Sequence, residues 1–183
     1  MEDHRIIYPR SQDLIDFAYR YAKEAHGDQR RKYTGEPYMH HPVAVAHIVM
    51  ETNPDCDMVC AALLHDVIED TDRTYEDIRD AGFMCQIADL VLELSDVSRP
   101  EDGNRETRKA MDREHLTGIS NRGKTIKLAD LIHNSESITA YDPNFAKVYM
   151  AEKRLLLDVL KGGDEMLMRK ARSIVDDYYE DQH

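Results

Sequence analysis

His65, Asp66, Glu69 and Asp70 crowd into the stretch AALLHDVIEDT, residues 61–71, and each can bind a cation or move a proton. On a helix that turns by about 100° per residue, setting His65 at zero puts Glu69 at about 40°, Asp66 at about 100° and Asp70 at about 140°. Ala61, Leu64, Val67 and Ile68 take the other side. An acidic run of this kind is ordinarily a solvated helix end. Here the carboxylates would stand in the last turns of a helix, beside the negative end of its dipole, where cations are favoured. That placement calls for a fixed positive charge. A divalent metal ion would supply one and would also accept a histidine nitrogen. Adjacent His65 and Asp66 would need further ligands from elsewhere in the chain.

Two residues qualify. His41 precedes Pro42 at a helix start, where the loop can aim it inward, whereas His40 would face elsewhere. Asp130 lies in KTIKLADLIHN, residues 124–134, among Ile126, Leu128, Ala129 and Ile132, and a bare carboxylate is costly to bury. Alone, His41 reads as a loop or core histidine, and Asp130 reads equally as a capped or paired structural aspartate and as a site residue. Their joint appearance with the His65–Asp66 pair outlines a site.

The elements that must position these residues are helical. The 183 residues suit one domain with a sizeable core. Trp is absent, and the apolar residues are mainly Ala, Leu, Ile, Val and Met, a mixture that predicts an all-α, compact multi-helix fold. Ser11 reads as the cap of a first helix that ends near His26 before Gly27. Gly and Pro make GDQRRKYTGEPYMHHP a loop, and Pro42 suits the first turn of a second helix. A third helix is predicted to run unbroken through DMVCAALLHDVIED after the break at NPD, residues 53–55. Thr74 with Asp77 caps a short fourth helix ending at Gly82, and a fifth covers CQIADLVLELSD. After the loop SRPEDGN, helices are predicted near 105–117, 124–139, 144–161 and 164–180. The motif-bearing core is thus about 11–140 and the C-terminal helices about 144–180, within a single domain spanning 1–183.

A formal net charge of −12 opposes general attraction to nucleic acid or to an anionic membrane. Cys56, Cys60 and Cys85 form no CxxC pair and read as small core thiols in a reducing compartment. MEDHRIIYPRSQD has no apolar run of signal-peptide length, and no stretch approaches a membrane span. A cytoplasmic protein is the expectation.

In order, RRKYTGEPYMHHP, AALLHDVIEDT and KLADLIHN resemble the HD phosphohydrolase domain of Rel/SpoT-type proteins, above all the stand-alone small alarmone hydrolases. The similarity runs from about Phe17 to Ile138. It implies one divalent metal, manganese in most of the family, held by His41, His65, Asp66 and Asp130, with Glu69 and Asp70 handling water. An N/O ligand set of this kind also accommodates iron, cobalt or zinc. The implied reaction removes the 3′-pyrophosphate of (p)ppGpp, giving GDP or GTP and pyrophosphate. The implied nucleotide contacts are Arg31, Lys32 and Asn134, with Arg99 aligned near a phosphate-binding position.

The chain departs from the pattern in places. Tyr33 and Thr34 lengthen the loop by one residue relative to bacterial bifunctional enzymes. Glu136 stands where relatives carry an Arg that meets the 5′-phosphates, and Leu131 replaces a basic residue. These changes spare the metal residues and bear on nucleotide preference. Residues 98–122 match poorly and carry Arg99, Arg105, Arg108, Lys109, Arg113 and Arg122, expected mostly as surface charges paired with Glu106, Asp112 and Glu114. Two alternatives stand beside the leading one. The first is an HD phosphohydrolase acting on (p)ppApp, NADPH or a nucleoside monophosphate. The second is a regulator that binds an alarmone without cleaving it, against which Glu69 and Asp70 argue.

Overall fold

A computed structural model describes residues 11–52 and 54–181. The reading of the first ten residues and of Asn53 lies outside them. Among the described residues the chain forms ten α-helices: α1 (Ser11–His26), α2 (His40–Met50), α3 (Cys56–Leu64), α4 (Val67–Asp70), α5 (Tyr75–Asp80), α6 (Cys85–Leu94), α7 (Arg105–Thr117), α8 (Asn121–Tyr141), α9 (Pro143–Val159) and α10 (Glu165–Glu180). The fold is all-α as expected; the one β feature among these residues is an isolated bridge between Arg30 and Pro37. Ser11 is the first residue of α1 rather than its cap.

Polar side chains start most of the helices by accepting from free backbone N–H groups. Asp55 caps α3, Asn104 caps α7, Ser120 caps α8, Asp142 caps α9 and Asp164 caps α10. Thr74 and Asp77 form the expected reciprocal box on α5. Each cap contributes about 1 kcal/mol.

Two helices organise the core. In α3 every residue from Met58 to Leu64 is buried, packed by α1, α2, α6 and α8. In α8, Ile126, Leu128, Ala129, Leu131 and Ile132 are buried against α2, α3, α6, α9 and α10. The turn before α10 seats on the first turns of α8: a Cβ on Gly163 would lie 3.1 Å from the Lys124 carbonyl carbon and 3.2 Å from the Thr125 nitrogen, so a larger residue would have to push the turn outward by a few tenths of an ångström. The Asp164 N–H donates to Thr125 Oγ1 at 2.9 Å and locks this seat.

The predicted third helix is not continuous. It breaks at His65–Asp66 into α3 and α4. Neither Gly nor Pro causes the break. The His65 ring takes up the Ala62 carbonyl at 2.8 Å, an acceptor that an uninterrupted helix would offer to the Asp66 N–H. Glu69 and Asp70 therefore belong to a one-turn helix, and the expected dipole conflict at the end of a long helix does not arise. The cysteine reading also needs correction: Cys60 is buried, but Cys56 is only half-buried and Cys85 is exposed.

Candidate metal centre and adjoining cavity

Three segments remote in sequence meet at one point. The first turn of α2 supplies His41, the α3–α4 break supplies His65 and Asp66, and the middle of α8 supplies Asp130. His41 Nε2 lies 3.4 Å from Asp66 Oδ2 and 3.2 Å from Asp130 Oδ1. His65 Nε2 lies 3.1 Å and 3.8 Å from the same two oxygens. All four residues are buried. His40, as expected, turns outward toward Glu36.

Ring chemistry shows what this arrangement demands. A carbonyl only accepts, so His65 Nδ1 must donate to Ala62. That leaves the Nε2 lone pair aimed at two carboxylates, and Nε2 is a buried atom without a hydrogen-bond partner. Burial opposes the imidazolium, but Asp66 and then Asp130 outweigh it and push the His65 pKa up to about 10. The surroundings thus hold a cation, be it a proton or a metal ion. His41 is prepared in the same way. Its Nδ1 is 2.8 Å from His133 Nδ1, and burial, with His41 and Arg31 nearby, lowers the His133 pKa to about 4. Neutral His133 accepts the His41 Nδ1–H, which turns the His41 Nε2 lone pair toward the carboxylates, the outer-shell arrangement typical of metal-binding histidines. The ligand atoms of His41, His65 and Asp66 lie within 4.8 Å of one another and form a possible metal site; Asp130 stands 3.2 and 3.8 Å from the two imidazoles, and this N/O chemistry fits a divalent ion.

Around this centre lies a second ring of contacts. Lys127 Nζ is 3.4 Å from Asp130 Oδ2; burial disfavours its charge, yet Asp130 and Glu69 raise its pKa above the usual lysine value. The Tyr38 hydroxyl lies 2.6 Å from both Asp66 Oδ2 and Asp70 Oδ2, so one proton serves two carboxylates. Glu69 has its pKa raised to about 7, first by burial and then by Asp96, Asp66 and Asp70, against the pull of Lys127. Asn134 donates to Asp130 Oδ1 at 2.6 Å and accepts from Arg31 at 2.7 Å. Arg31 also reaches Ser137 Oγ and stands 6.0 Å from the centre of the Tyr38 ring. Lys32 lies over the rings of Tyr33 and Phe145.

A cavity of about 330 Å³ opens beside the centre. Asp66, Glu69, Asp70, Asp130 and Asn134 line one side. α7 and α9 line the other with Arg105, Lys109, Arg113 and Lys153, the carboxylates of Asp112 and Glu152, and the rings of Phe145 and Tyr149; Asp96 also lines the cavity. Arg99 is exposed and does not line it. A smaller cleft of about 220 Å³ behind His41 brings Glu136 together with Arg31, His133 and Ser137.

The expected pairing of residues 105–122 holds only for Lys109 with Asp112 at 3.1 Å. Lys109 also pairs with Asp96, Arg105 with Glu152, and Arg122 with Asp55. The motif reading passed over Tyr38, Lys127, His133 and Lys153. Spacing held a clue to two of them: Lys127 and His133 flank Asp130 at three residues on either side, on neighbouring faces of α8.

Residues 18–156 match the family described as HD domain. The guanosine-3′,5′-bis(diphosphate) 3′-pyrophosphohydrolase of Aquifex aeolicus is 36% identical over 134 residues, 73% of this chain and 19% of that protein. This chain thus spans about a fifth of the length of that relative. The enzyme of the same name from Danio rerio is 34% identical over 126 residues, covering 67% of this chain and 68% of its own. Among solved structures, a metazoan ortholog of SpoT, described as hydrolysing ppGpp with a role in starvation responses, superposes with a TM-score of 0.81 at 30% identity, covering 93% of this chain and 97% of its own.

Proposed function

The chain belongs to the HD-domain family, and from that premise we propose that it is a metal-dependent hydrolase of the 3′-pyrophosphate of (p)ppGpp. One observation carries the reading: the unpartnered Nε2 of His65 faces Asp66 and Asp130, which line a cavity that Arg105, Lys109, Arg113 and Lys153 also line. His41, His65, Asp66 and Asp130 would hold the ion, and manganese is the ion we favour for this N/O set. When bound, the metal supplies positive charge to the phosphoryl oxygens and acidifies water.

The chain's own residues do the rest. Glu69, poised near neutrality, takes the proton of the attacking water, and Asp70, held by the Tyr38 hydroxyl, orients that water. Water adds to the phosphorus attached to the 3′ oxygen, the 3′ O–P bond breaks with its electron pair going to the 3′ oxygen, and that oxygen takes up the proton Glu69 removed, releasing pyrophosphate and GDP or GTP. Arg31, Lys32 and Asn134 position the nucleotide; the planar guanidinium suits stacking on a base and the lysine suits a phosphate. The protein acts in the cytoplasm, a setting in which the free thiols of Cys56, Cys60 and Cys85 persist. No helix among the described residues is long and apolar enough to cross a membrane.

Glu136, beside Arg31 in the smaller cleft, favours a second reading in which the substrate is (p)ppApp, NADPH or a nucleoside monophosphate. The test is product analysis by anion exchange after incubating the manganese-loaded protein with ppGpp, ppApp, NADPH and GMP separately. Pyrophosphate released from ppGpp by the parent protein and not by Asp66→Ala supports the first reading. Cleavage of another substrate alone moves the chain to the second. Tight ppGpp binding without any cleavage leaves a regulator.

A further inference from the structure

Arg105, Lys109 and Arg113 recur at every fourth residue of α7 and form one stripe of the cavity wall, to which α9 adds Lys153. These four cations are not equivalent. Glu152 grips Arg105 through two hydrogen bonds, at 2.7 and 2.9 Å, and Lys109 is shared by Asp96 and Asp112. Arg113 and Lys153 have no carboxylate at ion-pair distance among the described residues. Arg113 reaches only the Lys109 carbonyl, at 3.5 Å, and Lys153 Nζ stands 4.7 Å from the centre of the Tyr149 ring.

In a chain with a formal net charge of −12, two half-buried cations without carboxylate partners need a reason. Removing a cation from water is costly unless an anion or strong acceptors offset it. Lys153 shows the strain: burial lowers its pKa to about 8, although Asp130 pulls the other way. An anion entering the cavity would supply the missing charge. The acidic side of the cavity repels such an anion, so Arg113 and Lys153 are where it would be received.

We propose that Arg113 and Lys153 form an anion subsite for a phosphate group of the nucleotide other than the one at the metal centre, an assignment that rests on the hydrolase reading above. The arginine offers a planar fork and the lysine a compact charge, a pairing suited to phosphate. The group received is either a 5′-phosphate or the terminal phosphoryl of the leaving pyrophosphate.

The experiment is titration calorimetry of the manganese-loaded protein with guanosine, GDP and inorganic pyrophosphate, none of which is consumed. It compares the parent with Arg113→Met, Lys153→Met and Lys153→Arg. Each Met variant is expected to weaken GDP or pyrophosphate binding by about tenfold while guanosine is unaffected, and Lys153→Arg to retain most of the affinity. A loss for GDP assigns the 5′-phosphates; a loss for pyrophosphate alone assigns the leaving group. Anion affinities unchanged in both Met variants, equal losses for guanosine and GDP, or a parent protein that prefers neither anion would overturn the subsite. Its fate is separable from that of the hydrolase reading. A parent protein that binds these anions through Arg113 and Lys153 yet releases no pyrophosphate from ppGpp retains the subsite and loses the reaction.

Discussion

The two sides of the cavity solve opposite electrostatic problems. Around His41, His65, Asp66 and Asp130, carboxylates and imidazole lone pairs converge in a buried setting and require a cation. Across from them, Arg113 and Lys153 have no carboxylate at ion-pair distance among the described residues, and the subsite proposed above would give them an anion. A metal ion and a phosphorylated nucleotide, as proposed above, would meet both demands at once. The contrast teaches that a site can be located by unmet charge on each of its walls as well as by the residues that touch the reacting bond.

The strongest way to break the contrast is to remove the cation from the first side. Chelation, or Asp66→Ala, should lower pyrophosphate release by about 10⁴-fold, the scale of several kcal/mol of lost charge stabilisation. Elemental analysis should show the metal lost with the activity; activity that survives complete metal loss would refute the assignment.

Next comes the proton. Glu69→Gln should retain the metal and cut kcat by about 10³-fold, within the range for a general base. Its pKa is raised to about 7, so the carboxyl keeps its proton below that value and is useless as a base there. Activity should therefore fall as pH drops. A cation at the centre pulls this pKa down, placing the acid limb of the metal-loaded protein below about 7, and the Gln variant should lose that limb. A profile identical in both would free Glu69 of the role.

Lys127→Met tests how far the first side is held together by its own ion pair. Removing one partner of a buried pair costs about 3 kcal/mol, to be read in urea unfolding with the metal stripped away. A loss below about 1 kcal/mol would mean that water already serves Asp130, as for exposed pairs. Smaller still, Arg31→Ala should raise KM about tenfold through loss of its charge-assisted contacts, with kcat little changed. Arg99→Ala should alter neither parameter beyond about twofold, as surface substitutions generally do; a tenfold KM change would show that its loop closes over the substrate.

The two sides were not equally legible in the sequence. His65 with Asp66, His41 before Pro42 and Asp130 in an apolar helix each carry a local oddity, a polar group where the pattern wants an apolar one or a neutral one. Arg113 and Lys153 carry none, because a charged residue on an amphipathic helix is ordinarily solvated. Only the packing of α7 beside α9 turns that face into a cavity wall. The helix break at His65 was hidden for another reason: propensities favour continuation, and the interruption comes from a side-chain hydrogen bond to Ala62. Lys127 and His133 stood in plain view beside Asp130, but their roles depend on Glu69 and His41, which the fold brings from elsewhere.

α8 carries Lys127, Asp130, His133, Asn134 and Ser137 on one rigid rod. At about 1.5 Å of rise and 100° of rotation per residue, these positions are calibrated against each other as marks on a ruler. One inserted residue between Lys127 and Asn134 would swing everything beyond it a quarter turn, uncoupling the nucleotide contacts from the centre. The loop between α1 and α2 instead reverses at Gly35, with a φ of 70°, beyond the Arg30–Pro37 bridge, so a residue added at its tip leaves the paired residues on either side in place. Length variation in descendants of this chain should therefore gather around Tyr33 and Thr34 and be absent from α8, a pattern that an insertion scan of the two segments would reproduce within one experiment.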